Sequence, residues 1–285
     1  MVLGDWGGKT LFPYTTPIQL RVADSMATVA ASINAQFVVT VGDNFYDLGI
    51  QSCDDPRWQT SYEQVYHHPS LQIPWYVVAG NRDYYGNVTA QLEYTKLSNR
   101  WIFPSLNYDR VFSIPNTNAT VHFIAVNSFD ITSSSRREIG SPAFDPALQY
   151  VVIDQLTKKL VSSKSEWKVF VTHYPIWSAG AHGPNDPDLI QVLEPILLKW
   201  KPDIYLSGHD HSLQHLVVNG INYYVVGGGS DASDSWIGAP GLPADSLKFN
   251  YPPPRVSIGG FGSVTITQTS LTVTIYDDMG RPLYT

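Results

Sequence analysis

The chain has 285 residues, of which 43% are hydrophobic and 15% charged, a composition typical of a globular protein with a large core. Its net charge of −7 is spread along the chain without a basic block, which argues against nucleic acid or an anionic membrane as a partner. No run of about 18 apolar residues occurs, so the sequence predicts no membrane-spanning helix. No low-complexity linker divides the chain, and we expect a single domain over residues 1–285.

The spacing of apolar residues predicts three helices and a late hairpin. Apolar side chains recur three or four residues apart over 17–34 and 147–161. A third helix is expected to begin near Asp188, with Asp186 or Asp188 as its cap, and to carry Leu189, Val192, Leu193, Ile196 and Leu197. The segment SVTITQTSLTVTIYDD alternates apolar and polar residues, which predicts an antiparallel hairpin at a sheet edge. Helices that alternate with strands indicate a layered α/β protein.

Five apolar β runs are each followed by side chains that can bind a metal ion. The runs are VLGD, FVVTVGDNFY, WYVVAGN, KVFVTH and IYLSGHDH. The side chains are Asp5, Asp43, Tyr46, Asn81, His173, His209 and His211. Because sites in open α/β sheets gather at the carboxyl ends of strands, we expect these seven side chains to converge although they are far apart in the sequence.

The chemistry of this donor set is specific. Carboxylate, amide and phenolic oxygens combine with imidazoles and no sulfur, which suits Fe, Mn or Zn and argues against a cysteine-rich structural zinc site. Seven donors are too many for one tetrahedral ion, but they suit two ions that share a bridging carboxylate. Two ions about 3.5–4 Å apart can clamp the attacking and leaving oxygens of a phosphoryl transfer. A tyrosinate ligand favours a hard trivalent ion such as Fe(III).

Each donor has a plainer interpretation when it is taken alone. An Asp at a strand end, such as Asp5, commonly caps a turn, and a single His after a strand is commonly a satisfied polar group. Tyr46 alone is more easily explained as a half-buried aromatic. The five motifs together, each after its own strand, favour the metal interpretation.

The motifs GDWGG, GDNFY, GN-x-D, VTHYP followed by AHG, and GHDH resemble the five blocks of the purple acid phosphatases, a family of the metallophosphoesterase superfamily. The segments DDPRWQTSYEQVY, PWYVVAG and NVTAQ extend the resemblance over nearly the whole chain, which is most similar to the small tartrate-resistant type-5 acid phosphatases of animals. Tyr46 is the most specific element, because other metallophosphoesterases share only the Asp, Asn and His blocks. The fold that the resemblance implies is a central two-sheet β-sandwich flanked by helices, in four layers.

The resemblance also implies a dinuclear centre and an activity. The implied ligands of a ferric ion are Asp5, Asp43, Tyr46 and His211. The implied ligands of a second ion, which is Fe(II), Zn(II) or Mn(II), are the bridging Asp43 together with Asn81, His173 and His209. The implied reaction is that of an acid phosphatase, in which a metal-bound hydroxide attacks a phosphomonoester of a small molecule or a phosphoprotein.

One residue departs from the family pattern, which reads GNHD or GNHE in the third block. This chain has Arg82 in place of that His. Arg can bind phosphate through a bidentate fork, but its pKa above about 12 prevents useful proton donation. His182 lies nine residues after His173, where the family has a second active-site His, and is a candidate general acid or phosphate contact. We therefore expect weakened activity. The alternative for Arg82 is a surface side chain paired with Asp83 or another acidic residue.

Sequence features that bear on the cellular compartment point in two directions. The single cysteine, Cys53, cannot form an internal disulfide, which leans weakly towards a reducing compartment. The sequons at Asn87 and Asn118, with the resemblance, favour a secreted or lysosomal glycoprotein whose signal peptide has been trimmed. We expect a monomer. The Ser- and Arg-rich segment 131–145 is expected to form an exposed loop that is open to proteolytic nicking.

Two other functions compete with a phosphomonoesterase. A phosphatase-like scaffold that anchors other proteins, as in parasite glideosomes, has no need of metal ligands, and this chain retains all seven. A metallophosphodiesterase is a further alternative, and Tyr46 counts against it.

Overall fold

Two mixed β-sheets form the centre of the molecule in the computed structural model, which describes residues 1–133, 145–232, 236–252 and 257–285. Within these residues, the strand order of the first sheet is β14 (Pro282–Tyr284), β13 (Leu271–Asp277), β12 (Gly260–Ile266), β1 (Val2–Leu3), β2 (Val38–Thr40), β3 (Trp75–Tyr76) and β4 (Trp101–Ile102). Strands β1 to β4 are parallel, and β12 to β14 are antiparallel to their neighbours. The predicted late hairpin is confirmed as β12 and β13.

The second sheet also combines a parallel centre with antiparallel edges. Its strand order in the described residues is β11 (Leu247–Tyr251), β9 (Leu213–Val218), β10 (Ile221–Val226), β8 (Ile204–Ser207), β7 (Trp167–Val171), β6 (Thr120–Ala125) and β5 (Tyr108–Ser113). Strands β6, β7, β8 and β10 are parallel. Apolar residues of both sheets, including Val39, Val121 and Leu206, share one buried core, so the predicted sandwich is confirmed.

Helices cover the outer faces of both sheets. They are α1 (Pro17–Ser32), α2 (Asn81–Tyr84), α3 (Val88–Tyr94), α4 (Pro146–Ser162), α5 (Pro187–Val192) and α6 (Glu194–Trp200), with shorter helical turns at Trp58–Glu63, Pro69–Leu71, Ser128–Asp130 and Ala239–Gly241. Val22 and Met26 of α1 are buried in the core of the first sheet. Leu156 of α4 and Leu197 of α6 are buried against the second sheet. The flanking helices complete the predicted layers.

Side-chain caps set the starts of the long helices. Thr16 Oγ1 accepts a hydrogen bond from the Gln19 amide and begins α1, and Asp145 accepts from the Ala147 amide and begins α4. The predicted helices over 17–34 and 147–161 are therefore confirmed, with slightly different ends. Of the segment 131–145, which is predicted to be a nicking loop, residues 134–144 lie outside the described residues.

The third predicted helix is interrupted. Asp186, one of the two proposed caps, accepts from the amides of Asp188 and Leu189 and begins α5. The helix breaks at Leu193, because Pro195 has no N–H to continue the hydrogen-bond ladder, and α6 follows. The predicted third helix, which was expected to run through Leu193 without a break, was therefore wrong in its continuity.

A cluster of aromatic side chains holds the loops at the carboxyl ends of β1 and β2. Trp6, Trp58, Trp75 and Trp101 are at most 1% exposed, and the Trp6 ring contacts Phe45 at 5.8 Å between centroids. The Trp6 indole N–H donates to Asn44 Oδ1 at 3.1 Å, which ties the loop after β1 to the loop after β2. Among the described helices, none has the length and apolar character needed to span a membrane.

Candidate active site

The hydroxyl of Tyr46 lies among three further predicted ligands. Its oxygen is 2.9 Å from Asp5 Oδ1, 3.0 Å from Asp43 Oδ2 and 2.8 Å from His211 Nε2. The potential metal-binding atoms of Asp5, Asp43 and His211 all lie within 4.8 Å of one another. We call these four side chains the Tyr46 group.

The remaining three predicted ligands form a second group around Asn81. Asn81 Oδ1 is 2.9 Å from His173 Nε2 and 3.1 Å from His209 Nδ1. We call these three side chains the Asn81 group. His173 Nε2 is also 3.5 Å from Asp43 Oδ1, whereas the other oxygen of Asp43 contacts Tyr46. Asp43, a member of the Tyr46 group, therefore lies on the side of that group that faces the Asn81 group and contacts both. The structure thus brings all seven predicted ligands together.

The backbone at three of these positions adopts an uncommon conformation. Asp5, Asp43 and His209 have φ angles of 55°, 50° and 69°, in the left-handed region that L-residues with a side chain rarely adopt. Each of them follows a glycine at the end of a strand. Such conformations persist where the surrounding structure imposes them, and they concentrate at functional sites.

Two glycines of the sequence motifs are needed for the close approach of the loops. A Cβ at Gly42 would lie 2.5 Å from His173 Nδ1, and the φ angle of this residue is +93°. A Cβ at Gly80 would lie 2.2 Å from Asp43 Oδ1. The glycines before Asp43 and Asn81 thus make room for ligands that come from other strands.

Burial makes the charges of this cluster costly. Six of the seven side chains belong to residues at most 8% exposed, and only His211 is more accessible. Burial, with the adjacent Asp43 carboxylate, raises the pKa of Asp5 well above its usual range, and burial raises the pKa of Asp43 to about 6. Burial and the neighbouring cationic groups lower the pKa of His209 well below its usual range. The carboxylates repel each other, and so do the imidazoles when they are protonated.

A pair of metal cations fits this donor set. Cations would neutralise the carboxylates of the Tyr46 group and would bind the unprotonated imidazoles that burial favours. His173 Nδ1 also lies 2.8 Å from the Val41 carbonyl, an arrangement that fixes the ring and directs Nε2 towards Asn81 and Asp43. The residues present are therefore those of a site for two ions with Asp43 between them.

The backbone amide of Arg82 contacts one of the predicted metal ligands. Its amide donates to Asp43 Oδ1 at 2.8 Å, and its half-buried side chain places Cζ 5.3 Å from the centroid of the Tyr85 ring. The guanidinium charge helps to lower the pKa of His209, after the larger effects of burial and of the other histidines. Arg82 thus lies close enough to both groups of donors to act on their charge.

His182 lies at the exposed margin of the site. Its side chain is 52% exposed, and its ring centroid is 4.0 Å from that of His209. Its Nδ1 is 2.8 Å from Oδ1 of the buried Asp210. The structure therefore places both residues that were proposed to contact substrate beside the Asn81 group.

The sequence interpretation missed three buried polar residues that support the ligands. Asn44 donates to the Val78 carbonyl at 2.9 Å and accepts from Trp6 and Thr40, linking three loops. Asp83 and Asp210 are each at most 2% exposed and accept several hydrogen bonds from residues of neighbouring loops. All three lie inside the motifs GDN, GNRD and GHDH, directly beside or within two residues of a predicted ligand. Their place inside the metal-binding motifs was the sequence signal that could have identified these three residues.

Replacement of Asp83 by Asn is expected to destabilise the protein. The carboxylate accepts from the Gly80 amide and from Gln91 Nε2, each at 2.8 Å, and from the Asn44 amide at 3.1 Å. An amide NH₂ would face these donors, so we expect the free energy of unfolding to fall by about 2–4 kcal/mol. Urea denaturation of the metal-free protein measures this change.

The pH of this measurement is set by the ionisation of Asp83. Burial and the neighbouring Asp43 raise the pKa of Asp83 to about 7, so the comparison requires a pH above that value, where Asp83 is ionised. Asp24→Asn, at an exposed position of α1, is the matched control. A loss at Asp83 no larger than the control would show that its hydrogen bonds do not hold the site.

Comparisons with known proteins agree with this geometry. Residues 1–213 match the family model described as calcineurin-like phosphoesterase. The whole chain is 36% identical to tartrate-resistant acid phosphatase type 5 of Oryctolagus cuniculus, covering 88% of that protein. It is also 36% identical to purple acid phosphatase 4 of Arabidopsis thaliana, covering 81% of that protein.

The fold also resembles a solved structure, that of GAP50, the anchor in the inner membrane complex of Plasmodium. The TM-score is 0.81 over 99% of this chain and 85% of that one, and the sequences are 23% identical, so this likeness shows the fold alone. The family model and the full-length relatives confirm the resemblance that the motifs indicated. The chain therefore belongs to the purple acid phosphatase family of calcineurin-like phosphoesterases.

Proposed function

We propose that this protein is a dimetal acid phosphatase that hydrolyses phosphomonoesters. The observation that carries the proposal is the convergence of seven oxygen and imidazole donors in two groups, with the Asp43 carboxylate between them. The named activities of the full-length relatives agree with it. The substrates proposed are small phosphomonoesters or phosphoproteins.

The two groups of donors suit different ions. Asp5, Asp43, Tyr46 and His211 would hold Fe(III), since a phenolate and carboxylates are hard ligands. Asp43, Asn81, His173 and His209 would hold Fe(II), Zn(II) or Mn(II). When bound, such a pair supplies positive charge against the phosphate oxygens and lowers the pKa of water.

The residues at the margin of the site act on the substrate itself. The Arg82 guanidinium binds phosphate oxygens and remains charged at every working pH. His182 donates a proton to the alcohol oxygen as the bond between that oxygen and phosphorus breaks, while an oxygen from water bonds to phosphorus. General acid catalysis typically contributes about 100- to 10,000-fold, so one remaining His is enough for measurable turnover.

We propose that residues 1–285 form one domain that acts as a monomer in the secretory pathway, as a secreted or lysosomal glycoprotein. Asn87 and Asn118 are both exposed, as a glycosylated side chain must be. Asn118 lies in the turn between β5 and β6, and Asn87 caps α3.

The alternative is a phosphatase-like scaffold with little or no activity. Its only structural support is the likeness of the fold to the Plasmodium anchor protein. A scaffold does not require seven clustered donors, six of them buried, whose desolvated charges are costly without cations. The retained donor set therefore favours the enzyme.

Hydrolysis of p-nitrophenyl phosphate by iron-loaded protein, measured from acid to neutral pH, tests the proposal. We expect turnover in the acid range, dependence on bound metal, and much lower activity on bis(p-nitrophenyl) phosphate, a diester. Protein that holds two metal ions per chain and hydrolyses neither ester would overturn the proposed activity and favour the scaffold. Faster hydrolysis of the diester would instead favour a phosphodiesterase.

A further inference from the structure

The carboxylate of Asp210 is enclosed by the turn that carries His182. Asp210 is 2% exposed, and its Oδ1 accepts from the His182 amide at 3.1 Å and lies 2.8 Å from His182 Nδ1. Its Oδ2 accepts from the Ser178 hydroxyl. A Cβ at Gly180 would lie 2.4 Å from the carboxylate carbon, so the turn packs directly onto it. The carboxylate thus fixes both ends of this turn.

These contacts determine which imidazole nitrogen of His182 carries a proton. A carboxylate beside Nδ1 requires Nδ1–H as the donor, which leaves Nε2 as the nitrogen that can contact a substrate oxygen. The ring packs against His209, with 4.0 Å between centroids and 38° between planes. The Asp210 contact restricts the rotation of a side chain that is 52% exposed.

We propose that Asp210 is a positioning residue that fixes the orientation of His182 and keeps a proton on its Nδ1, so that Nε2 faces the leaving-group oxygen and carries the proton that is transferred. The expected effect on turnover rests on the proposed phosphatase function. The orientation of His182 rests only on the contacts of Asp210. It assigns a role to the residue between His209 and His211, which is itself no ligand in the donor groups described above.

Asp210→Asn is a sharp test, because an amide cannot satisfy the contacts of this carboxylate. Ser178 Oγ already accepts from the Gly180 amide at 2.9 Å and from Gln214 Nε2 at 3.0 Å, so it can offer residue 210 only its proton, for which Gln214 Oε1 at 3.3 Å is the other acceptor. If the Asn oxygen faces His182, its NH₂ opposes a hydroxyl whose lone pairs are taken. If the Asn oxygen faces Ser178, the Asn NH₂ opposes the backbone N–H of His182, which is also a donor. The same NH₂ would then force His182 Nδ1 to accept, so Nδ1 would lose its proton.

The kinetic experiment compares four metal-loaded variants with the unmodified protein: Asp210→Asn, His182→Ala, the double variant and Ser178→Ala. We expect Asp210→Asn to lower kcat about 10- to 100-fold, the range typical for loss of a residue that orients an active-site side chain through a hydrogen bond. We expect KM to change less than about threefold, because ground-state binding is retained. In the His182→Ala background the same change should alter kcat less than about twofold.

Ser178→Ala serves as the matched control. It removes a hydrogen bond from the same buried carboxylate but leaves both contacts to His182, so we expect a smaller loss of kcat than in Asp210→Asn. Metal content, measured on each variant, separates this role from support of His209 and His211. Equal losses from Asp210→Asn with and without His182, or loss of a metal ion, would overturn the proposal.

Nuclear magnetic resonance of ¹⁵N-histidine in zinc-loaded protein gives a readout that does not depend on activity. We expect a His182 Nδ1–H signal, assigned by its absence in His182→Ala, that persists in Ser178→Ala and is lost or shifted in Asp210→Asn. A His182 ring protonated only at Nε2 in the unmodified protein would overturn the proposal. If the unmodified protein does not hydrolyse phosphomonoesters, the proposed function fails, and this spectrum still decides the role of Asp210.

Discussion

Replacement of Asp43 by Asn is expected to abolish catalysis and to remove metal from the protein. Asp43 touches side chains of both donor groups, through Oδ2 at 3.0 Å from Tyr46 and Oδ1 at 3.5 Å from His173. Asn keeps the size of the side chain but lacks the charge that neutralises two cations. We expect kcat/KM to fall at least about 1,000-fold, more than the loss of a single oxyanion donor usually causes.

Two measurements separate this loss from a general failure to fold. Elemental analysis after metal loading should give fewer than two ions per chain, and near-ultraviolet circular dichroism should remain that of the unmodified protein. Asp24→Asn has the same chemistry on the exposed face of α1 and should keep both its metal and its activity. An Asp43→Asn variant that retained two ions and full turnover would refute the assignment of this site.

The candidate ligands were predictable from the sequence because each carries a local signal. A short apolar strand, a small residue and then a donor side chain is a pattern that can be read without knowledge of the fold, as at Asp43 and His173. The structure adds the reason for the pattern at two positions. The glycines before Asp43 and Asn81 leave space for His173 and Asp43 themselves, which come from other strands.

Contacts between loops were not predictable in the same way. Asp210 and Asp83 act through hydrogen bonds to residues 28 and 39 positions away, and a single sequence does not show which loops meet. The position of β1 beside β12 is equally absent from any local pattern, and the sandwich was expected from the family resemblance alone. The break at Leu193 had a visible cause in Pro195, but helical periodicity on both sides obscured it.

Arg82 stands where the family resemblance predicts a His, and its replacement is expected to show what this difference costs. Its amide is tied to Asp43, so the side chain begins beside the proposed bridging ligand. Arg82→Ala should raise KM and lower kcat/KM about 100-fold, since charge-assisted bonds to phosphate contribute about 1.5–3 kcal/mol each. Arg110→Ala, at an exposed position on β5, is the matched control and should have no effect.

Arg82→His distinguishes electrostatic binding from proton transfer. An imidazole restores a group that can donate a proton in the acid range, whereas Arg holds its proton throughout. We therefore expect Arg82→His to raise kcat, or to shift the pH optimum, relative to the unmodified protein, while the affinity for inorganic phosphate falls. If both variants matched the unmodified protein in kcat, KM and pH profile, Arg82 would have no part in the reaction, and phosphate binding would fall to His182 and the metal pair.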